Sequence, residues 1–465
     1  STAVVCIGFF YMVAATSSAR DEFDTTAKTM EEFSGYSIHE PSCLDSSFSS
    51  IPVDTESLQK EIEELSMFSD TPTPSVTRIL YSENDVLARR YIKYLMGRAD
   101  LSVREDAVGN IFGRWVGSEP ELSPVATGSH IDAIPYSGKY DGVVGVIGAI
   151  EAINVLKRFG FKPKRSLEVI MFTSEEPTRF GISCLGSRLL AGSKELARVL
   201  ATVVDGQNIS FADAAKSVGY LKNDDISQVF LEKGSYFSFI ELHIEQGPIL
   251  EEEGTQIGIV TAIAAPASLK VDFEGNGGHA GAVLMRNRND AGLAAAELSL
   301  AVEKHVLQSG SGDTVGTVGI LELHPGAINS IPLKAHLEID VRDIDENRRN
   351  AVMDRITDSA RSISSDRGVK LTEFRIVNQD PPASCADPVV NAIESSCREL
   401  KFSYRKMISR AYHDSLFMDR ISDMGMIFIP CHKGYSHKPE EFADPDDIAN
   451  GVRVLASALA KLSLS

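Results

Sequence analysis

Apolar residues recur at helical spacing over 82–98, where Val86, Leu87, Tyr91, Ile92 and Leu95 share one face. A shorter helix is expected over 56–67. Over 142–159 the apolar positions are 143, 144, 146, 147, 150, 153, 156 and 159, which predicts a long helix. Around these helices lie short apolar runs that end in polar groups. The run over 124–128 leads into Ser129-His130-Ile131-Asp132, and the run over 167–173 (LEVIMFT) leads into Ser174-Glu175-Glu176. A third covers 237–244 (FSFIELHI), and a fourth covers 426–430, followed by Gly434-Tyr435-Ser436-His437. Such alternation predicts an α/β domain with a mostly parallel central sheet.

The texture changes between about 265 and 378. Strands are predicted over 268–274, 314–322, 334–342 and 370–377, and helices over 290–307 and 348–364. That order is β-α-β-β-α-β, a ferredoxin-like α+β module. The expected layout is a lead-in over 1–50, a first catalytic part over 51–264, an inserted domain over 265–379 and a second catalytic part over 380–465. A length of 465 residues allows about two or three domains.

Near the start, Ala3 to Ala15 (AVVCIGFFYMVAA) is apolar and uncharged, and small residues follow. This resembles the apolar part of a secretory signal, so entry to the secretory pathway and the endoplasmic reticulum is expected. No later stretch approaches the 18 apolar residues of a membrane span, so no stable span is expected. Lys plus Arg is 46 and Asp plus Glu is 65, a net charge of −19, which argues against a broad basic surface for nucleic acid. The only tryptophan is Trp115, so base-stacking platforms are not suggested either. The six cysteines, Cys6, Cys43, Cys184, Cys385, Cys397 and Cys431, show no CxxC spacing, and most read as small buried thiols.

Ligands in open α/β sheets bind outside the carboxyl ends of the strands. His130, Asp141, Glu175, Glu176, His243 and His437 all fall at such ends or just before a helix. Imidazoles and carboxylates in this number suit a pair of divalent ions, with Asp141 able to bridge. Donors without sulfur favour zinc, manganese or cobalt. Asp132 could accept the second ring N–H of His130. Glu175 and Glu176 are adjacent and must point apart, so one can bind metal while the other takes a proton from a metal-activated water.

These residues sit within a longer pattern: Gly128-Ser129-His130-Ile131-Asp132, Gly138-Lys139-Tyr140-Asp141-Gly142, Ser174-Glu175-Glu176, and Glu241-Leu242-His243-Ile244-Glu245-Gln246-Gly247-Pro248. It continues with Gly277-Gly278-His279-Ala280-Gly281, Asn329-Ser330-Ile331-Pro332 and Ser436-His437. The pattern resembles the M20-type metal-dependent amidohydrolases over residues 55 to 465. The similar branch holds allantoate amidohydrolases, N-carbamoyl amino acid hydrolases and β-ureidopropionases.

The resemblance implies a metallo-aminopeptidase-like catalytic domain carrying an inserted dimerisation (lid) domain, and hydrolysis of the ureido amide of a small acid. It implies two divalent ions, most commonly Mn2+, with Zn2+ or Co2+ as alternatives. His130 and His243 would hold one ion, Glu176 and His437 the other, with Asp141 bridging and Glu175 as general base. In a homodimer, His279 and Asn329 would reach the partner's cleft, His279 stabilising the oxyanion. Arg342 would clamp the substrate carboxylate, Gln246 would line the pocket, and Tyr412 and His413 would touch substrate. One departure is Leu284, where the branch usually has proline before Met285, which puts that loop's rigidity in question. His39, His305, His324, His336 and His432 are left as structural or solvent-facing.

Overall fold

The computed structural model describes residues 52–223 and 225–465. The signal-like segment at 3–15, Cys6, His39 and Cys43 lie outside the described residues. The strands Val125–His130, Leu167–Phe172 and Ser238–Ile244 are buried at every position, and Asp423–Ile429 is buried beyond its first residue. Buried on both faces, such strands read as nearly continuous apolar runs. The four are parallel neighbours in the order Asp423–Ile429, Ser238–Ile244, Val125–His130, Leu167–Phe172.

The whole sheet has nine strands among the described residues, and it is mixed rather than mostly parallel. Ile111–Trp115 and Ser102–Glu105 add antiparallel strands at one side. At the other side Ile257–Ile263 pairs antiparallel with Asp423–Ile429. Tyr404–Ser409 then pairs parallel and Ala383–Ser384 antiparallel with Ile257–Ile263. Apart from Ile257–Ile263, which is mostly buried, these flanking strands are short or partly exposed, so their sequences lack the long apolar runs of the centre.

Helix Val143–Arg158 is buried on nearly all sides, as a helix apolar all round must be. Its interior charge, Glu151, accepts from Asp54 N (3.0 Å) and pairs with Arg158 Nη2 (2.6 Å). It packs against the C-terminal helix Pro445–Leu464 and the strands Val125–His130 and Ser238–Ile244. Ser82 caps Glu83–Arg98 by accepting from Asp85 N at 3.2 Å. The described cysteines carry free thiols; Cys184, Cys397 and Cys431 are buried and Cys385 is partly exposed. No described helix is long and apolar enough to cross a membrane.

The second sheet is antiparallel, in the order Val315–His324, Lys334–Asp343, Ala265–Glu274, Lys370–Gln379. With helices Ala291–Leu307 and Glu346–Arg367 this is a ferredoxin-like module. Burial alternates along its two central strands, the signature of a sheet covered on one face. Leu269, Val271, Phe273, Leu337 and Ile339 meet Leu298, Val302, Val352 and Ile356 in a core separate from that of the large sheet.

Candidate metal centre and its surroundings

His130 is the last residue of its strand, His243 the penultimate residue of the next, and Glu175 and Glu176 follow Leu167–Phe172 by three and four positions. Parallel pairing therefore brings side chains far apart in sequence to one rim. His130, Asp141 and His243 form one group whose possible ligand atoms lie within 4.8 Å of one another, and Asp141, Glu176 and His437 form a second. Asp141 belongs to both, with its two oxygens divided between them. Oδ1 lies 3.1 Å from His243 Nε2 and 3.7 Å from His130 Nε2. Oδ2 lies 3.2 Å from His437 Nε2, which in turn is 3.0 Å from Glu176 Oε1.

Gly142 makes the approach possible. It has φ +67°, and a Cβ there would stand 2.4 Å from His130 Nε2. Ser174, Gln246 and His437 adopt left-handed backbone without being glycine, at φ +54°, +58° and +59°. Such strain collects where a site over-determines its backbone.

Asp132 does more than the sequence suggested. The backbone carbonyl of Asp132, at 3.1 Å, is the hydrogen-bond partner of His130 Nδ1; its carboxylate lies farther off, with Oδ1 at 3.5 Å. The two carboxylate oxygens accept instead from Glu175 N (3.1 Å) and Glu176 N (2.9 Å). One acid thus fixes the peptide segment that carries both glutamates. Glu176 then turns to His437, while Glu175 Oε2 faces His130 Nε2 at 3.9 Å and Glu175 Oε1 accepts from the Cys184 thiol at 3.3 Å.

Burial of the Glu175 carboxyl pushes its pKa well above the usual range, and burial raises that of Glu176 as well. Burial also acts to raise the Asp141 pKa, but the His243 and His437 imidazoles outweigh it and hold the carboxyl well below its usual value. Hydrogen bonds to Asp141 and Glu176 push His437 up to about 11. Burial opposes a charged His130, yet the carboxylates of Asp132, Glu175 and Asp141 raise its pKa well above normal. Among the described residues no Lys or Arg forms an ion pair with Asp132, Asp141, Glu175 or Glu176. Buried carboxylates whose only ion-pair partners are imidazoles fit divalent cations, which would displace the imidazole protons.

A third grouping, Glu241, His243 and His413, also has metal-like spacing. Glu241 is already committed, accepting from Ser129 Oγ (2.7 Å), Ser415 Oγ (2.6 Å) and Ser415 N (3.1 Å). We read this grouping as a support. His413 is buried, bonds Ser409 Oγ at 2.9 Å and stacks edge-on against His243 with centroids 4.6 Å apart. Burial and the neighbouring His243 push its pKa well down. Behind them Asp414 accepts from Ser187 Oγ at 2.5 Å, and burial pushes its carboxyl up to about 8.

Gln246 Nε2 donates to Asp141 Oδ2 (2.8 Å) and to Ser436 Oγ (3.1 Å). Tyr412 OH donates to Asp380 Oδ2 at 2.6 Å and accepts from Arg188 Nη2 at 2.9 Å, so its phenol is engaged by protein groups. Arg342 is engaged too: Nε donates to Asp340 Oδ1 (2.8 Å) and Nη1 to the Arg410 carbonyl (3.1 Å). It still lies within Coulombic range of His413. His279 and Asn329 are exposed; His279 lies on a small ribbon pairing Gly278–His279 with Ser330–Ile331, Asn329 just precedes its second strand, and both belong to neither ligand group. Where the branch's proline is absent, Leu284 is exposed, and Arg288 holds the loop by donating to the carbonyls of Val283 (3.0 Å) and Ala280 (2.5 Å).

Glu241, Cys184, Asp414, Ser436 and Glu441 were not anticipated. A carboxylate in the middle of the apolar run FSFIELHI was the available signal for Glu241. The others act through contacts spanning up to 301 residues, which no local pattern records.

Residues 126–461 match the peptidase family M20/M25/M40, and the chain belongs to that family. A ureidoglycolate hydrolase of Arabidopsis thaliana is 70% identical over 458 residues, 97% of this chain and 96% of that protein. A ureidoglycolate hydrolase of Oryza sativa subsp. japonica is 69% identical over 441 residues, 94% of this chain and 91% of that protein. The crystal structure of AtUAH in complex with glyoxylate shares 73% identity and a TM-score of 0.84, covering 90% of this chain and all of that one.

Proposed function

We propose that this chain is a metal-dependent amidohydrolase that cleaves the ureido amide of (S)-ureidoglycolate, yielding glyoxylate, ammonia and carbon dioxide. The observation that carries this reading is the bridging Asp141 with its two ligand groups beside Glu175, a carboxylate in neither group. The substrate follows from 70% identity to a ureidoglycolate hydrolase over nearly the whole chain.

His130, Asp141 and His243 would hold one divalent ion, and Asp141, Glu176 and His437 the second, with manganese the first choice. When bound, the ions supply Lewis acidity and lower the pKa of water. Glu175 takes the proton of the attacking water at Oε2 and returns it to the leaving nitrogen; burial raises its pKa, which favours holding that proton between the two transfers. Arg342 exchanges Asp340 for the substrate carboxylate, a planar pairing that guanidinium suits. His279 donates to the developing oxyanion, with Asn329 beside it, both delivered by the partner subunit. Gln246, Tyr412 and His413 shape the pocket. Ammonia departs from the ureido carbon, the carbamate loses carbon dioxide, and hydroxyglycine collapses to glyoxylate and a second ammonia.

Dimerisation through the small sheet is supported by its surface. Leu293, Leu300 and Leu307 recur every seven residues on one helix and are 44%, 68% and 78% exposed. Beside them the edge strand Val315–His324 exposes Ile320, Leu321 and Leu323. The apolar segment at 3–15 supports entry into the secretory pathway, and a protein found wholly in the cytosol would oppose that.

The test is ammonia and glyoxylate release from ureidoglycolate by manganese-loaded and chelated protein, with allantoate and an N-carbamoyl amino acid as competitors. Turnover of ureidoglycolate by the loaded protein alone is expected. Preference for either competitor would overturn the substrate assignment.

A further inference from the structure

His130 and His243 are placed by strands in the middle of a hydrogen-bonded ladder, whereas Asp141 and His437 stand on connecting segments outside it. Something else must fix those two relative to each other. Glu441 is 4% exposed and sits four residues beyond His437. Its Oε1 accepts from Tyr140 N at 2.8 Å and Asp141 N at 3.0 Å. Gly138 lets it approach: a Cβ there would stand 2.3 Å from Glu441 Cβ and 2.5 Å from Oε1. The Glu441 segment is itself tied back, Glu441 N to the Lys438 carbonyl (3.1 Å) and His432 N to the Phe442 carbonyl (2.8 Å). A single carboxylate therefore joins the backbone of Asp141 to the segment bearing His437. His437 and Glu176 serve only the second ligand group, while His130 and His243 have ladder support of their own.

We propose that Glu441 is a positioning residue that holds Asp141 and His437 in register and so sets the affinity of the second metal position selectively. This rests on the two-ion reading of the site given above. Glu441 meets Asp141 at its backbone N–H and bonds none of the side-chain ligand atoms, so its effect is on geometry.

The experiment is titration of the chelated full-length protein with Mn2+, reading stoichiometry and both dissociation constants by calorimetry and equilibrium dialysis. Wild type is expected to bind two ions. Glu441→Ala should keep the first affinity and weaken the second by about 10- to 100-fold, the usual cost of losing a group that orients metal ligands. Glu441→Gln keeps an amide oxygen for the two N–H groups and should restore the second affinity to within about threefold, whereas Glu441→Met, of similar length without a strong acceptor, should not, a split that a packing role would not give. If Glu441→Ala does not fold, Gly138→Ala displaces the carboxylate while retaining it and should show the same selective loss. Unchanged second affinity in the alanine variants, or equal loss at both positions, overturns the proposal. A wild-type protein that binds fewer than two ions overturns the two-ion reading instead.

Discussion

The two sheets treat their polar residues in opposite ways. The large sheet buries both faces and drives its candidate ligands to one rim, where Asp141, Glu175 and Glu176 are each less than one-tenth exposed and the imidazoles answer them directly. The small sheet buries one face only, and the residues expected to meet substrate from it are exposed (His279, Asn329) or occupied with a neighbour (Arg342 on Asp340). The candidate ion-binding rim is thus organised within one chain, while the residues proposed to grip substrate still have to be brought into place. Preorganised groups lower a barrier without reorganising; recruited groups tie turnover to binding and assembly.

The sharpest way to break this contrast is at the rim. Glu175→Gln should retain metal, measured by elemental analysis, and lose about 10³-fold in kcat, within the span of general acid–base catalysis. Substantial turnover would show that the rim does not supply the proton relay. His279→Ala should cost about 10²-fold in kcat, the scale of one oxyanion donor. Mixing it with Glu175→Gln subunits should regenerate activity, because each heterodimer then holds one intact composite site; no regain would place His279 in its own subunit's cleft. Arg342→Ala should raise KM by about 10-fold or more while kcat changes less, as expected for a charge-assisted contact made in the ground state. A fall in kcat with KM unaltered would move Arg342 out of the substrate-binding set.

The smallest effect belongs to the outer face of the small sheet. His336 Nδ1 lies 2.5 Å from Asp272, and this hydrogen bond raises the imidazole pKa. A group whose folded pKa is raised contributes stability in full below the unfolded value of about 6.5 and loses it as pH rises through the folded value. His336→Asn should therefore lower thermal stability most below pH 6.5 and least at pH 9, by no more than about 1 kcal/mol for so exposed a pair. A difference that grows with pH would contradict the sign.

Legibility from sequence followed the same divide. Continuous apolar runs revealed the central strands, and short strand-like segments at 268–274 and, by alternation of polarity, 334–342 revealed the small sheet's strands Ala265–Glu274 and Lys334–Asp343, because such patterns are set by neighbours along the chain. The flanking strands Ser102–Glu105 and Tyr404–Ser409 were missed, since half-exposed edges carry little apolar signal. At the site, Asp141 and Glu176 were legible as polar breaks at element ends. The double acceptance by Asp132, the engagement of Tyr412 with Asp380 and the support of Asp141 by Glu441 were not, because each depends on how distant segments face one another.

The carboxylate of Asp132 has a consequence for how the site ages and adapts. Consecutive α-carbons stand about 3.8 Å apart in any chain; by accepting from both amides the Asp132 carboxylate fixes the orientation of that peptide unit, and with it the directions in which Glu175 and Glu176 leave the backbone. Such a covalent ruler neither stretches when the surrounding core breathes nor drifts when distant residues are exchanged. The reach of the proposed base relative to the proposed ion ligand is therefore set by Asp132 rather than by the residues proposed to meet substrate.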